Sequence, residues 1–142
     1  MTDAAQATES KKERPIVPFL RLGDKPHLLG LRCRVCGATY LKGARVACAK
    51  CGTAGDFEEI ALSDRGTLWV YSIVYQSAPG IPTPYVAAIV DLPDKVSVRC
   101  NLIDVEADPA KIPFGMPVRM VTRKVRTDKD GNDVIAFFFR PA

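Results

Sequence analysis

Residues 32–52, RCRVCGATYLKGARVACAKCG, hold two Cys-x2-Cys pairs, Cys33/Cys36 and Cys48/Cys51, with eleven residues between them. Cysteines spaced by two residues curl around one side of a metal ion as a tight knuckle, and two knuckles complete a tetrahedron. Gly37 and Gly52 follow directly on the two pairs, where the returning chain needs backbone freedom that a side chain restricts. The spacing predicts a structural zinc site of four thiolates, Cys33, Cys36, Cys48 and Cys51. Zinc suits this donor set, and iron takes the same tetrahedral sulfur site. A closed site has no position for water or substrate, so the metal is expected to hold up a fold. Arg32, Arg34, Arg45 and Lys50 surround the cysteines. Their charge offsets the thiolates, and a basic ribbon touching phosphate would use the same residues. The sequence leaves both uses open.

Composition bounds what the rest of the chain can build. The 142 residues are 47% hydrophobic and 25% charged, the scale of one compact domain or two very small ones. No stretch approaches the roughly 18 apolar residues that cross a membrane as a helix. The first residues, MTDAAQATESKKER, hold no apolar run resembling an export signal. Five cysteines in such a chain point to a reducing cytoplasm and to metal binding rather than to disulfides. Twenty basic against sixteen acidic residues leave a net charge of +4 and a pI near 8.9, a mild excess that disfavours a nucleic-acid partner.

From Asp56 onward, runs rich in Val, Ile, Phe and Tyr are bounded by Gly, Pro and Asp. They predict strands over 57–62, 66–75, 85–92, 96–105, 117–126 and 134–139, with room for a helical turn over 107–111. Asp128 to Asn132 reads as a hairpin loop, because Asp-Gly and Gly-Asn steps tolerate positive φ. Leu92 to Lys95 reads as another. Consecutive strands joined by short loops and one longer crossover favour a closed barrel over a sheet with open edges. The expected fold is mainly β. A disordered tail (1–14) and a short N-terminal apolar segment (15–31) precede a rubredoxin-like zinc ribbon (32–56) and a five-stranded OB-fold barrel (57–142). Ser77 to Pro84, SAPGIPTP, must be a loop between barrel strands and is a candidate contact surface.

The segment IVPFLRLGDKPHLLGLRC carries Pro18, Gly23 and Pro26, which exclude a long helix. Its apolar residues are too many for a solvated tail, and a ribbon of some thirty residues has little core of its own. Phe19, Leu20, Leu22, Leu28 and Leu29 are therefore expected to pack at least partly against another subunit.

No catalytic constellation emerges. His27 is the single histidine and stands without an acid or nucleophile nearby in sequence. Cys100 falls on the apolar face of an alternating strand, away from Arg99. Trp69, Tyr71, Tyr75, Tyr85 and Phe137 to Phe139 raise a second function, binding of single-stranded nucleic acid by a ribbon and barrel. That reading needs exposed aromatics in a continuous basic groove. Phe137 and Phe139 share one strand face, opposite Phe138, so some of them belong to a core. Arg119 and Arg123 share one face while Lys124 and Arg126 share the other.

The order of LRCRVCG (31–37), CAKCG (48–52), RGTLWVYSIVY (65–75), PYVAAIVDL (84–92), FGMPVRMV (114–121) and FFFRPA (137–142) resembles the acyl-CoA-associated zinc-ribbon/OB-fold proteins, domain of unknown function 35. The resemblance runs from about Phe19 to Pro141. It implies a non-catalytic accessory subunit of a thiolase-type complex, whether thiolase, acyltransferase or aldolase, acting on CoA thioesters. One specific version is a thiolase for an aromatic 3-oxoacyl-CoA such as benzoylsuccinyl-CoA. It also implies that zinc is structural, bound by Cys33, Cys36, Cys48 and Cys51, and that the larger thiolase-fold subunit carries the catalytic residues and most of the CoA contacts. In many relatives the segment before the ribbon looks like a continuous helix, a pattern that Pro15, Pro18 and Pro26 interrupt here.

Overall fold

The computed structural model describes residues 12–142, which form ten strands and one 3-10 turn. The first eleven residues of the expected tail lie outside the described residues. Its last two, Glu13 and Arg14, belong to strand β1 (Glu13–Pro15).

A small antiparallel sheet is centred on β3 (His27–Cys33), which pairs with β2 (Leu20–Arg21), β4 (Thr39–Leu41) and β5 (Phe57–Ala61). The run 57–62, assigned from sequence to the barrel domain, joins this ribbon sheet instead: Phe57 stands opposite Cys33 and Ala61 opposite Leu29. Sequence alternation identifies a strand but does not name its neighbour, and the short link Leu62 to Asp64 allows either. Gly30 in β3 has a packing role. A Cβ there would lie 2.6 Å from Leu62 Cδ2 and 3.1 Å from the Tyr40 carbonyl, so its absence lets Leu62 seat where ribbon meets barrel.

The barrel is formed by β6 (Arg65–Val74), β7 (Tyr85–Asp91), β8 (Ser97–Leu102), β9 (Pro117–Thr127) and β10 (Asp133–Pro141). Strands β6, β7 and β8 form an antiparallel meander, β9 and β10 a hairpin, and β9 returns antiparallel to β6. A parallel contact between β8 and β10 at Leu102 and Phe139 closes the ring. This is the OB arrangement, first strand against second and fourth, third against fifth. Strand β8 stops at Leu102, short of the expected 105, because Asp104 turns the chain away with φ +59°. The crossover then carries the expected helical turn at Pro109–Lys111. The loop 75–84 is exposed along its length. Strand β1 lies parallel to the first half of β10, pairing Glu13 with Asp133 and Pro15 with Ile135.

One apolar core serves both parts. Leu68, Val90, Val98, Val118 and Phe139 fill the barrel, and Leu20, Leu28 and Leu62 belong to the same cluster. The leucines expected to seek another subunit are thus buried in this chain: Leu20 is 0% exposed, Leu28 1% and Leu29 6%. Leu20 and Leu28 are directly opposed partners in β2 and β3, so one hairpin turns both onto the barrel. Phe19 and Leu22 are half-buried against the same core, with the Phe19 ring edge-on to Phe137 at 5.8 Å. The apolar surplus is met because the barrel supplies the surface that the ribbon lacks. Two hydrogen bonds tie the parts at the β7–β8 turn, from Thr39 Oγ1 to the Asp94 carbonyl (2.6 Å) and from Ser63 N to Asp94 Oδ2 (2.7 Å). No helix among the described residues is long and apolar enough to cross a membrane.

Leu28→Ala is expected to lower the stability of the isolated chain by about 2–5 kcal/mol, the cost of a core cavity. Leu20→Asp should prevent cooperative folding outright by burying a charge. Urea unfolding followed by circular dichroism checks both, and a Leu28→Ala chain as stable as the wild type would show that the hairpin is not part of the core.

Candidate metal centre

Each knuckle is built by the same pair of backbone hydrogen bonds. Cys33 N donates to the Ala38 carbonyl and Gly37 N to the Cys33 carbonyl; Cys48 N donates to the Thr53 carbonyl and Gly52 N to the Cys48 carbonyl, all at 2.8–2.9 Å. Gly37 (φ +78°) and Gly52 (φ +80°) stand at the left-handed position that this turn requires. The first knuckle grows from the end of β3. The second is pinned by an isolated bridge between Ala47 and Ala54.

The turns bring all four expected sulfurs together, within 4.8 Å of one another. Cys33 Sγ lies 3.7 Å from Cys51 Sγ, and Cys36 Sγ 3.5 Å from Cys48 Sγ. These gaps are far beyond the ~2 Å of a disulfide. A tetrahedron with metal–sulfur bonds of about 2.3 Å has edges of about 3.8 Å, so the cluster has the size and donor chemistry of a closed four-thiolate metal site. Cys33 and Cys48 are buried, Cys36 is half-buried and Cys51 exposed.

A surrounding layer of donors favours the ionised form of Cys48 and Cys51, whereas at Cys36 the lowering by the Ala38 backbone is outweighed by burial and by hydrogen bonds to the other sulfurs, which push it up to about 11. The Tyr40 hydroxyl lies 3.2 Å from Cys48 Sγ and accepts from Ala49 N at 3.1 Å, while Lys50 N donates to the same sulfur at 3.4 Å. The Tyr40 hydrogen bond first, then the Cys51 backbone amide, pull Cys48 down to about 5. Thr53 Oγ1, 3.2 Å from Cys51 Sγ, leads the lowering of Cys51. Tyr40 also carries the Arg45 guanidinium 3.8 Å above its ring and meets Phe57 edge-on. Sequence reasoning missed Tyr40; its only signal is an aromatic residue standing between the two knuckles. Arg32 pairs with Glu58 (3.5 Å) and Arg34 with Asp56 (3.4 Å), so two of the four surrounding cations brace the ribbon sheet.

The remaining singled-out residues do not converge on this centre. His27 Nδ1 lies 3.1 Å from the Lys25 carbonyl. Cys100 is buried in β8, and burial pushes its thiol up to about 12. Phe139 is core, Phe137 packs against the core, and Trp69 and Tyr75 are exposed.

Comparison with known proteins finds relatives of this fold. The family described as the ChsH2 C-terminal OB-fold domain matches residues 59–123. A DUF35 domain-containing scaffold protein of Methanocaldococcus jannaschii is 33% identical over 80% of this chain and 81% of its own length. The chain belongs to the DUF35 family. Another relative, the benzoylsuccinyl-CoA thiolase subunit BbsA of Geobacter metallireducens, is 31% identical over 93% of this chain and 92% of that protein. Among solved structures, the Ltp2-ChsH2(DUF35) aldolase superposes with a TM-score of 0.62 at 26% identity, covering 81% of this chain and 84% of that one.

Tyr40→Phe is expected to weaken metal affinity about 10–100-fold, as loss of a partner that orients a ligand does, without unfolding the barrel. Competition against a chromophoric chelator measures it; unchanged affinity would show that the hydroxyl plays no part. After chelation at neutral pH, Cys48 and Cys51, whose thiols are lowered, should react rapidly with a disulfide reagent and Cys100 slowly, because a thiol raised by burial holds almost no thiolate there.

Proposed function

We propose that this chain is a non-catalytic, zinc-binding accessory subunit of a thiolase-type complex acting on acyl-CoA thioesters, with a thiolase-fold catalytic subunit as its partner. The observation that carries the reading is the near full-length match to the thiolase subunit BbsA, which spans ribbon and barrel together. The DUF35-containing aldolase supports the wider class, a small subunit beside an enzyme of carbon–carbon bond chemistry. A second benzoylsuccinyl-CoA thiolase subunit, from Thauera aromatica, is 31% identical over 83% of this chain and favours an aromatic 3-oxoacyl-CoA as substrate.

In this reading the metal is zinc, whose borderline-soft, redox-inert character suits four thiolates. Its role is structural: Cys33, Cys36, Cys48 and Cys51 fill every position of a tetrahedral ion, and the ribbon's contribution to the fold follows metal binding. The CoA thioester is held mainly by the catalytic subunit, and the complex works in the reducing cytoplasm, where the thiols persist.

The test is co-expression with the thiolase-fold subunit of the same organism. We expect co-purification, about one zinc per copy of this chain by elemental analysis, and CoA-dependent cleavage of an aromatic 3-oxoacyl-CoA by the pair but by neither subunit alone. Cys33→Ser or Cys48→Ser should lose the metal and the complex together. Thiolysis by this chain alone, or a stable metal-free ribbon, would overturn the proposal.

A further inference from the structure

We propose that the outer face of β6, β9 and β10 docks onto an acidic surface of the catalytic subunit through a row of arginines crossing the three strands. The proposal rests on the subunit reading above. Strand register places Arg65 directly opposite Arg119, and Arg119 directly opposite Arg140. Val118 and Met120, on either side of Arg119, are buried, so the three arginines share the outward face. Directly opposed side chains on one face hold their Cβ atoms about 5 Å apart, and like charges so placed destabilise a sheet. Arg123, two alternations further along β9, extends the same face.

Compensation within the chain is incomplete. Asp104 is the carboxylate among these arginines, bound to Arg123 at 2.6 Å and Arg140 at 3.1 Å. It is held there with φ +59°, a conformation few non-glycine residues adopt. Arg65 and Arg119 form no ion pair among the described residues. Asp91, in the neighbouring strand opposite Thr67, accepts instead from the Ser97 hydroxyl at 2.6 Å. Arg140 Nε is buried without a hydrogen-bond partner. With Arg123 and Arg140 sharing one carboxylate and Arg65 and Arg119 in no ion pair among the described residues, the face is complementary to negative charge.

The form of the face selects the occupant. The row lies on the outside of a closed barrel, which suits another surface better than an enclosed small molecule. Guanidinium forks match carboxylates in bidentate pairs, and arginine is enriched where proteins meet. Nucleic acid fits less well. OB barrels read single strands on their second and third strands, here β7 and β8. Arg99, opposite Ile89, is the arginine on that pair of strands, and the arginine row stands on the other flank.

The experiment uses the full-length, metal-loaded chain and the co-expressed thiolase-fold subunit. Arg65→Glu and Arg119→Glu are each expected to weaken the complex about tenfold or more, in a salt-dependent manner. Arg126→Glu, which changes net charge equally at an exposed site in the same strand, should leave affinity unchanged. All three should keep metal content and melting temperature. Arg119→Lys should retain binding, and a zero-length carbodiimide should then join the introduced amine to an Asp or Glu of the catalytic subunit, located by mass spectrometry. If the wild-type pair forms while both reversals bind as tightly and no cross-link appears, this face is not the contact and the subunit reading stands without it. If the wild-type chain forms no complex, both readings fall. Tight binding of a single-stranded oligonucleotide at physiological salt, lost in Arg119→Glu, would overturn the proposal in favour of nucleic acid.

Discussion

The shared core of ribbon and barrel is the constraint on which the rest of the structure depends. A metal knuckle pair orders only its own turns and leaves the apolar faces of β2 and β3 uncovered. The Leu20–Leu28 pair resolves this by entering the cluster that contains Leu68, Val118 and Phe139. Gly30 matters for the same reason, since a side chain there would push Leu62 out of the junction. The ribbon is therefore fixed to the barrel by packing first. The Asp94 turn, which binds Thr39 and Ser63, adds direction to that packing rather than its strength.

The candidate metal centre complements this arrangement from the opposite end of β3. One end of the strand carries leucines into the core, and the other delivers Cys33 to the sulfur cluster. Tyr40 links the two regimes. Its hydroxyl serves Cys48, its ring packs on Phe57 in β5, and the Arg45 guanidinium covers the other side. Displacing β5 would disturb one sulfur of the cluster through a residue outside it.

Much of this architecture was legible in the residues. The Cys-x2-Cys spacing names all four sulfurs because a knuckle is a local object, fixed by a few backbone hydrogen bonds. The barrel strands follow period-two alternation closely; Tyr85–Asp91 and Ser97–Leu102 alternate buried and less buried positions along their whole length. What could not be read was pairing. Nothing local in FEEIA says that it lies against β3, and nothing in ERP says that it lies against β10. The burial of Leu20 and Leu28 was missed for the same reason: an apolar residue announces that it needs cover but not which surface provides it. The arginine row is likewise invisible along the chain, because Arg65, Arg119 and Arg140 meet only through register.

Strand β1 has a consequence for the order in which the molecule can be made. Its partner, Asp133–Ile135, lies near the far end of the chain, and Phe139, which closes the barrel, follows a few residues later. The cysteine knuckles use contacts of short sequence separation, so they can assemble while the ribosome is still translating the barrel. The apolar hairpin beside them stays uncovered until the final strand emerges. Pairings of such long separation are slow to form and leave sticky surface exposed meanwhile. The interval between knuckle formation and ring closure is thus the stage of biosynthesis at which the nascent chain is most open to aggregation, and at which a waiting chaperone has an apolar surface to hold.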